Sequence, residues 1–361
     1  IEVTAGGEVA RYQLPFGFLA EDDFSSALPQ QLALARVRRG RQVGLITDAF
    51  TLEPFIRAVI KGMQDKTVIA TRDGELQFQQ TSKLAPLGLN DESEVRYLSA
   101  EQSNSSVVIG SSVVLKMIRR VAAGTHPELE MGAYLTEAGY QHISPLLGAV
   151  VRVDGDGESN LLMIAQGYLS NQGDAWEWTQ NNLERAVRDE MAHGHSNVEQ
   201  HAHALLELRD FAGLLGQRLG EMHVVLSAPT DNPDFKTEVT SVKDSQASAK
   251  SVSAQVERAL NLLEQHRDTL EPGDQQLVSE LLSKRKPLLA QVQNLAKQSV
   301  GGLRMRVHGD LHLGQMLVVK GDAYLIDFEG EPARPLQERR AKYSPFKDVS
   351  GVLRSFDYAA A

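Results

Sequence analysis

The chain contains no cysteine in 361 residues. Disulfides and thiolate metal centres are thereby excluded. It has no apolar run long enough for a membrane-spanning helix, and its N-terminus lacks the basic-then-apolar order of a secretory leader. The expected location is the cytoplasm. Positive charge is not in excess either: 37 Lys and Arg stand against 47 Asp and Glu, a net charge of -10. That balance argues against a nucleic-acid surface, which is built from basic patches. It leaves phosphate binding open, because one lysine, a divalent cation and a few backbone N–H groups can hold phosphates on an acidic protein. With 42% hydrophobic and 23% charged residues the composition is that of a globular protein. Its length predicts two or three subdomains rather than one core. The start at Ile1 and the stop inside an apolar, helix-like stretch (349–358) read as a piece of a longer protein.

Residues 1–98 hold short alternating segments at 9–14, 42–47, 67–71 and 75–80. Period-2 patterning with Gly and Asp-Gly punctuation predicts a small antiparallel sheet, and 54–64 has helical spacing. No catalytic grouping lies here, which suggests a small α+β cap. From Glu94 the pattern changes. Strands are expected at 95–99, 106–110 and 112–118, a helix from about Thr125, and two strands from about Ser144 and Asn160, joined by an Asp154-Gly-Asp-Gly hairpin turn. After Gly167 helices dominate. Asp174 can cap one over 175–191, and another over 201–226 carries Leu205, Leu208, Phe211, Ala212, Leu215 and Leu219 on one stripe. The polar stretch 230–251 predicts a mobile loop, and 252–266 with 274–300 an amphipathic helical pair.

The strongest chemical signal is HGDLHLGQ (308–315) followed by IDFEGEP (326–332). Asp310 sits in a tight loop, where Gly309 lets the backbone turn and the carboxylate can accept a hydrogen bond from an attacking hydroxyl. Gln315 and Asp327 offer hard oxygens suited to Mg²⁺, and a strand–turn–strand between them would bring both to one spot. Phosphoryl transfer needs an oriented nucleophile and cations on the phosphate oxygens more than it needs covalent chemistry. A lone HGD would be an ordinary turn. Both elements in this order, 17 residues apart, favour that chemistry. Lys116 lies inside an apolar strand, where a lysine is costly unless paired or snorkelling. As a phosphate contact it needs an acidic partner on the next helix. Thr125-His-Pro-Glu128 fits a capping box, which leaves Glu130 to point at Lys116. The loop Gln102-Ser103-Asn104-Ser105-Ser106 lies where phosphates would be covered, although it lacks glycine. Gln166 and Tyr168 end the fifth strand, where an adenine would meet backbone groups.

The histidines at 193, 195, 201 and 203 read as a solvated turn rather than a metal site, and His223 as a hydrogen-bonded core residue. The charge-dense run after Asp327 would wall the acceptor site, with Glu329, Glu331, Arg334, Arg339, Lys342, Asp348 and Arg354, joined by His312 of the preceding loop, as the groups that meet the acceptor's hydroxyls.

The chain resembles bacterial maltokinases, including the maltokinase domain fused behind trehalose synthase. The likeness is close at HGDLHLGQ (308–315), IDFEGEPARPLQERRAKYSPFKDVSGVLRSFDYAA (326–360) and NQGDAWEWT (171–179), and weaker at 14–18, 126–135 and 215–223. It implies an α+β, bilobal protein-kinase-like fold related to aminoglycoside phosphotransferases. The cap would be 1–98, the small lobe with phosphate loop, lysine strand and hinge 99–170, and the helical lobe with catalytic loop, metal site and acceptor segment 171–361. Relatives continue into further C-terminal helices beyond the last residue here. The implied reaction converts maltose and ATP to maltose 1-phosphate and ADP with Mg²⁺. By the same likeness Asp310 is the base, Gln315 and Asp327 bind metal, and Lys116 and Glu130 hold the phosphates. A fused or associated trehalose synthase is the implied partner. Gln315 stands where the wider superfamily carries Asn, which favours the narrower family. The rival readings are a kinase of the same fold with another sugar, choline or an aminoglycoside as acceptor, and a non-catalytic kinase-like module.

Overall fold

Alternating apolar residues become strands through the first half of the chain. These are β1 (Glu2–Ala5), β2 (Glu8–Tyr12), β3 (Phe16–Ala20), β4 (Ala35–Arg39), β5 (Gln42–Asp48), β6 (Val68–Thr71), β7 (Gly74–Gln80), β8 (Val95–Tyr97), β9 (Asn104–Ile109), β10 (Val113–Ile118), β11 (Arg120–Val121), β12 (Leu146–Asp154) and β13 (Ser159–Gly167). Helices α1 (Leu28–Gln31), α2 (Glu53–Asp65) and α3 (Pro127–Glu137) interrupt them. This computed structural model describes residues 1–23, 27–90, 92–98, 104–193 and 198–361. Two units result. The first comprises 1–225, 308–341 and 348–361, the second 226–307 and 342–347.

In the first unit seven strands form one antiparallel sheet in the order β6-β7-β12-β13-β10-β9-β8. The sheet crosses the boundary expected at residue 98. β6 and β7, read as part of a separate cap, pair onward to β12, so that part of the cap and the small lobe share one backbone ladder. The remaining early strands make two small sheets, β1-β2-β11 and β3-β5-β4.

The pleat of β10 decides what each face carries. Val113, Leu115 and Met117 turn to the back, where they are buried with Phe50 and with Ile56, Val59, Ile60 and Met63 of α2. Those α2 residues recur at helical spacing, so one stripe of the helix covers the sheet. Lys116 and Ile118 turn to the front. There Ile118 is buried with Ala149, Val151 and Leu161 against Leu129 of α3. The backbone N–H of Leu146 donates to Thr136 Oγ1 at 2.9 Å and pins α3 to the sheet.

Helices follow β13: α4 (Ala175–His193) and α5 (Val198–Leu226), the latter burying Phe211, Leu215, Leu219 and Met222. In the second unit β14 (Glu238–Val239) precedes α6 (Val242–His266), α7 (Pro272–Ser283), α8 (Arg285–Gln298) and β15 (Leu303–Arg304). The mobile loop expected over 230–251 is corrected here, because its second half is helix. Ser241 and Asp244 form a reciprocal capping box that starts α6 at Val242, a signal that the polar composition hid. Back in the first unit, β16 (Met316–Val319) and β17 (Asp322–Leu325) form a hairpin. The short α9 (Leu336–Arg339) and α10 (Phe346–Ala360) close the chain. Among the described residues no helix is long and apolar enough to cross a membrane.

Candidate active site

The hairpin β16–β17 does what its spacing promises. The backbone N–H of Ile326 donates to Gln315 O at 3.0 Å, which sets the two ends of the hairpin side by side. Gln315 Nε2 then lies 3.3 Å from Asp327 Oδ2. Asp327 itself has φ of +63°, a left-handed conformation uncommon for a residue with a Cβ and associated with functional sites.

Lys116 arrives from the sheet. Its Nζ is 2.9 Å from Glu329 Oε1 and 3.9 Å from Asp327 Oδ1. Glu128, near the start of α3, is only 2% exposed and completes a triad: one oxygen each from Glu128, Asp327 and Glu329 lie within 4.8 Å of one another. Glu128 Oε1 accepts from Gln166 Nε2 at 2.8 Å, while Glu128 Oε2 and Asp327 Oδ1 are buried with no hydrogen-bond partner. Burial alone would lower the Lys116 ammonium, but the charges of Glu128, Glu329 and Asp327 outweigh it and hold the group above its ordinary value. Burial pushes Glu128 up to about 7 against the pull of Lys116. Glu329 is held low by Lys116 despite its burial. His126, buried beside these groups, is pushed down to about 4 by desolvation and stays neutral.

The loop carrying Asp310 is fixed from behind. Gly309 takes φ of +89°, which frees the backbone to turn at the half-buried Asp310. The N–H groups of His308 and Gly309 donate to Asp348 at 3.0 and 2.9 Å, and His223 Nε2 lies 2.9 Å from the same carboxylate. His308 Nε2 is 2.9 Å from Ile326 O, so the Asp310 loop is tied to the strand end that bears Asp327. A Cβ on Gly351 of α10 would collide with Leu311 O, so the helix lies directly against this loop.

The structure thus brings Lys116, Gln315 and Asp327 together, but several partners differ from expectation. Glu130 does not serve Lys116. Arg340 grips both its oxygens at 2.7 and 2.9 Å, and Glu128 is the α3 acid that acts on the lysine. The expected capping box is absent: α3 begins at Pro127, after His126, with no side-chain cap. The signal was the helix stripe, because Glu128 shares a buried face with Met131, Gly132 and Leu135. Glu329, expected on the acceptor wall, lies on Lys116 instead. Asp348, expected there too, is 1% exposed and serves the loop backbone.

His312 caps its own loop, with Nδ1 accepting from Gly314 N at 3.1 Å. Glu331 pairs with Arg334, and Arg339 donates to the carbonyls of Arg334 and Pro332, so these side chains knit the loop before α10. Arg354 is exposed on α10. Lys342 belongs to the second unit, bound to Pro233 O and Glu238 at 2.8 and 2.7 Å. Ser106 pairs across the ladder with Lys116 and shares its face, whereas Ser105 pairs with Met117 and turns to the back. Asn104 Oδ1 accepts from the Arg119 backbone N–H at 3.4 Å. The Tyr168 N–H is given to Ser112 O at 2.8 Å. Ser103 lies outside the described residues, as do His195 and the side chains of His193, His201 and His203. For a hard divalent cation the donor set fits: Asp327 carries an orphaned buried oxygen, and the Gln315 amide lies beside its other one.

No family model matches the chain. Over 266 residues it is 27% identical to a glucosamine kinase of Streptacidiphilus jiangxiensis, which covers 73% of this chain and 54% of the relative. Over 265 residues it is 25% identical to a glucosamine kinase of Mycolicibacterium smegmatis, covering 73% and 59%. The chain thus spans little more than half the length of these relatives. A solved glucosamine kinase in complex with glucosamine, ADP and inorganic phosphate superposes with a TM-score of 0.65 at 19% identity, over 97% of this chain and 68% of that one. A second crystal form of glucosamine kinase gives 0.65 at 20% identity, over 90% and 67%. The chain has the glucosamine-kinase fold. The kinase-like α+β architecture read from the sequence is borne out by this match.

Proposed function

We propose that the chain transfers the γ-phosphoryl group of ATP to a sugar hydroxyl, and that the sugar is maltose, phosphorylated at its anomeric position. The observation that carries the phosphotransfer reading is the Lys116 ammonium set among Glu128, Asp327 and Glu329 beside Gln315. In this reading Lys116 contacts the α- and β-phosphates, which compete with Glu329 for it. Asp310 accepts a hydrogen bond from the attacking hydroxyl and takes its proton late, since a loose transition state asks little of a base. Gln315 and Asp327 would hold Mg²⁺, which when bound would supply positive charge against that developing on the phosphate oxygens. Asp348 and His308 keep Asp310 and Asp327 in register during this step.

The maltose assignment rests on the resemblance of 171–179, 308–315 and 326–360 to maltokinases. In this setting a fused or associated trehalose synthase supplies the sugar. Glucosamine is the second reading, favoured by relatives at 27% and 25% identity that carry that activity in their names. Coupled ADP release with maltose, glucosamine, glucose and trehalose separates the two. Turnover with maltose alone supports the first, and turnover with glucosamine alone moves the acceptor. No ADP release with any sugar would sink the kinase reading. Asp310→Ala should lose about 10²–10⁴-fold in turnover while nucleotide binding survives.

A further inference from the structure

Arg119 follows β10 directly and leaves the sheet on the face opposite Lys116. Its guanidinium collects partners from two places far apart in sequence. Nε and Nη2 donate to Ser105 Oγ at 3.0 and 2.9 Å, and Nη2 also pairs with Asp48 Oδ2. Its backbone N–H donates to Asn104 Oδ1 at 3.4 Å, and the guanidinium carbon lies 5.8 Å from the centre of the Phe50 ring. Asp48 is itself fixed, since its Oδ1 accepts from Phe50 N at 3.0 Å and so caps the short turn that leads into α2. The ion pair is mostly out of water, with side-chain exposures of 18% and 15%.

These contacts converge on the first two residues of β9. Asn104 and Ser105 stand opposite Ile118 and Met117, and the next residue, Ser106, stands opposite Lys116. In an antiparallel ladder the pairing at one end sets the face of each following residue. The geometry therefore points to Arg119 as a positioning residue for the nucleotide side of the sheet. Through Asp48 it ties the strand pair β9–β10, which carries Lys116 and Ser106, to the cap. The early strands and the turn after β5 then do more than cover a hydrophobic back face. They hold the strand end from which the phosphate-facing residues emerge.

This inference rests on the ATP reading above. The test is ATP binding, measured by titration calorimetry with Mg²⁺ on wild type, Arg119→Lys, Asp48→Asn and Ser105→Ala, together with KM and kcat for both substrates and thermal unfolding of each protein. Asp48→Asn should weaken ATP binding roughly tenfold, the scale of one lost charge-assisted hydrogen bond, with KM for the sugar within about twofold of wild type. Arg119→Lys keeps a cation for Asp48 but loses the fork on Ser105, so it should fall between Asp48→Asn and wild type. Ser105→Ala removes the shared acceptor without touching the ion pair and should show the same KM-against-kcat split at smaller size. A purely structural role would instead lower kcat and the folded fraction together and leave KM for ATP alone, and that pattern overturns the inference. Equal ATP affinity in all four proteins overturns it as well. A wild-type chain that binds no ATP overturns the kinase reading and takes this inference with it.

Discussion

Asp348 and Glu128 are both buried acids, but only one of them is fully partnered. Asp348 has a backbone donor on each oxygen and His223 on one of them. Glu128 has Gln166 on one oxygen and nothing within hydrogen-bonding reach of the other. The same contrast appears in their acidity. Burial would raise Asp348, yet His223, His308 and two backbone N–H groups hold it below the ordinary carboxylate range. Glu128 is raised, because burial outweighs the pull of Lys116. Unpaired buried charge is costly, so a fold tolerates it chiefly where something else is to bind. The Asp348 cluster is a finished support, whereas the Lys116 cluster leaves Glu128 Oε2 and Asp327 Oδ1 without hydrogen-bond partners, as the proposed phosphate and cation site would require.

Asp348→Ala should have the largest effect on stability. It removes a charge that two backbone donors and a histidine were built around, and breaking such a buried pair costs ~3–5 kcal/mol. The expected result is a large loss in chemical denaturation together with a loss of turnover, because Asp310 rides on the released loop. Lys116→Met should act the other way round. Nucleotide affinity should drop roughly ten- to hundredfold, the loss of a charged hydrogen bond, with a smaller change in stability because Glu128 can keep its proton. Calorimetry and denaturation on the two variants would break the comparison if both proved equally destabilised and equally weak for ATP.

How much of this was legible follows from the same contrast. HGD and IDF declared themselves because their chemistry is local: a glycine turn, a hairpin, and polar residues at the end of an apolar strand. Lys116 stood out for the same reason. The acidic partners were not local. Glu128 looked like a cap because Thr125 stands three residues before it, and only its phase with Met131 and Leu135 marks it as inward-facing. Asp348 shares a buried stripe with Val352 and Ser355 on α10, yet in the sequence it merges into a charge-rich run. Asp48 and Arg119 are 71 residues apart, and nothing in either segment names the other. The seven-stranded sheet was legible strand by strand but not in its order, because β7 pairs with β12 and no hairpin turn links them.

Glu128→Gln sharpens the comparison through pH. In the folded chain the Glu128 pKa is raised from 4.5 to about 7, so the folded state keeps a proton that the unfolded state releases. The contribution of Glu128 is therefore fully present below the unfolded value and is lost as pH rises toward the folded one. Wild type should lose stability relative to Glu128→Gln between about pH 4.5 and about pH 7 and run parallel to it above that window. Asp348 has the opposite sign, with stability present above the ordinary aspartate range and lost on acidification. Denaturation curves at several pH values would show the two slopes opposed. Slopes of one sign would mean that Glu128 is already ionised in the folded chain across that pH window and that the contrast with Asp348 is wrong.

The smallest effect is expected at Glu130, the acid that sequence spacing favoured for Lys116. Its pairing with Arg340 is two-pronged, with side-chain exposures of 11% and 26%, so it is firmer than an open surface pair. Such a pair still contributes only about 1 kcal/mol, since both groups keep some access to water. Glu130→Gln should lower stability by that amount and leave KM for ATP unchanged, because Glu128 supplies the charge that acts on Lys116. If Glu130→Gln weakened ATP binding as much as Glu128→Gln, the acid facing the phosphates would be the one the sequence chose, and the division between finished support and open site would have to be redrawn along α3.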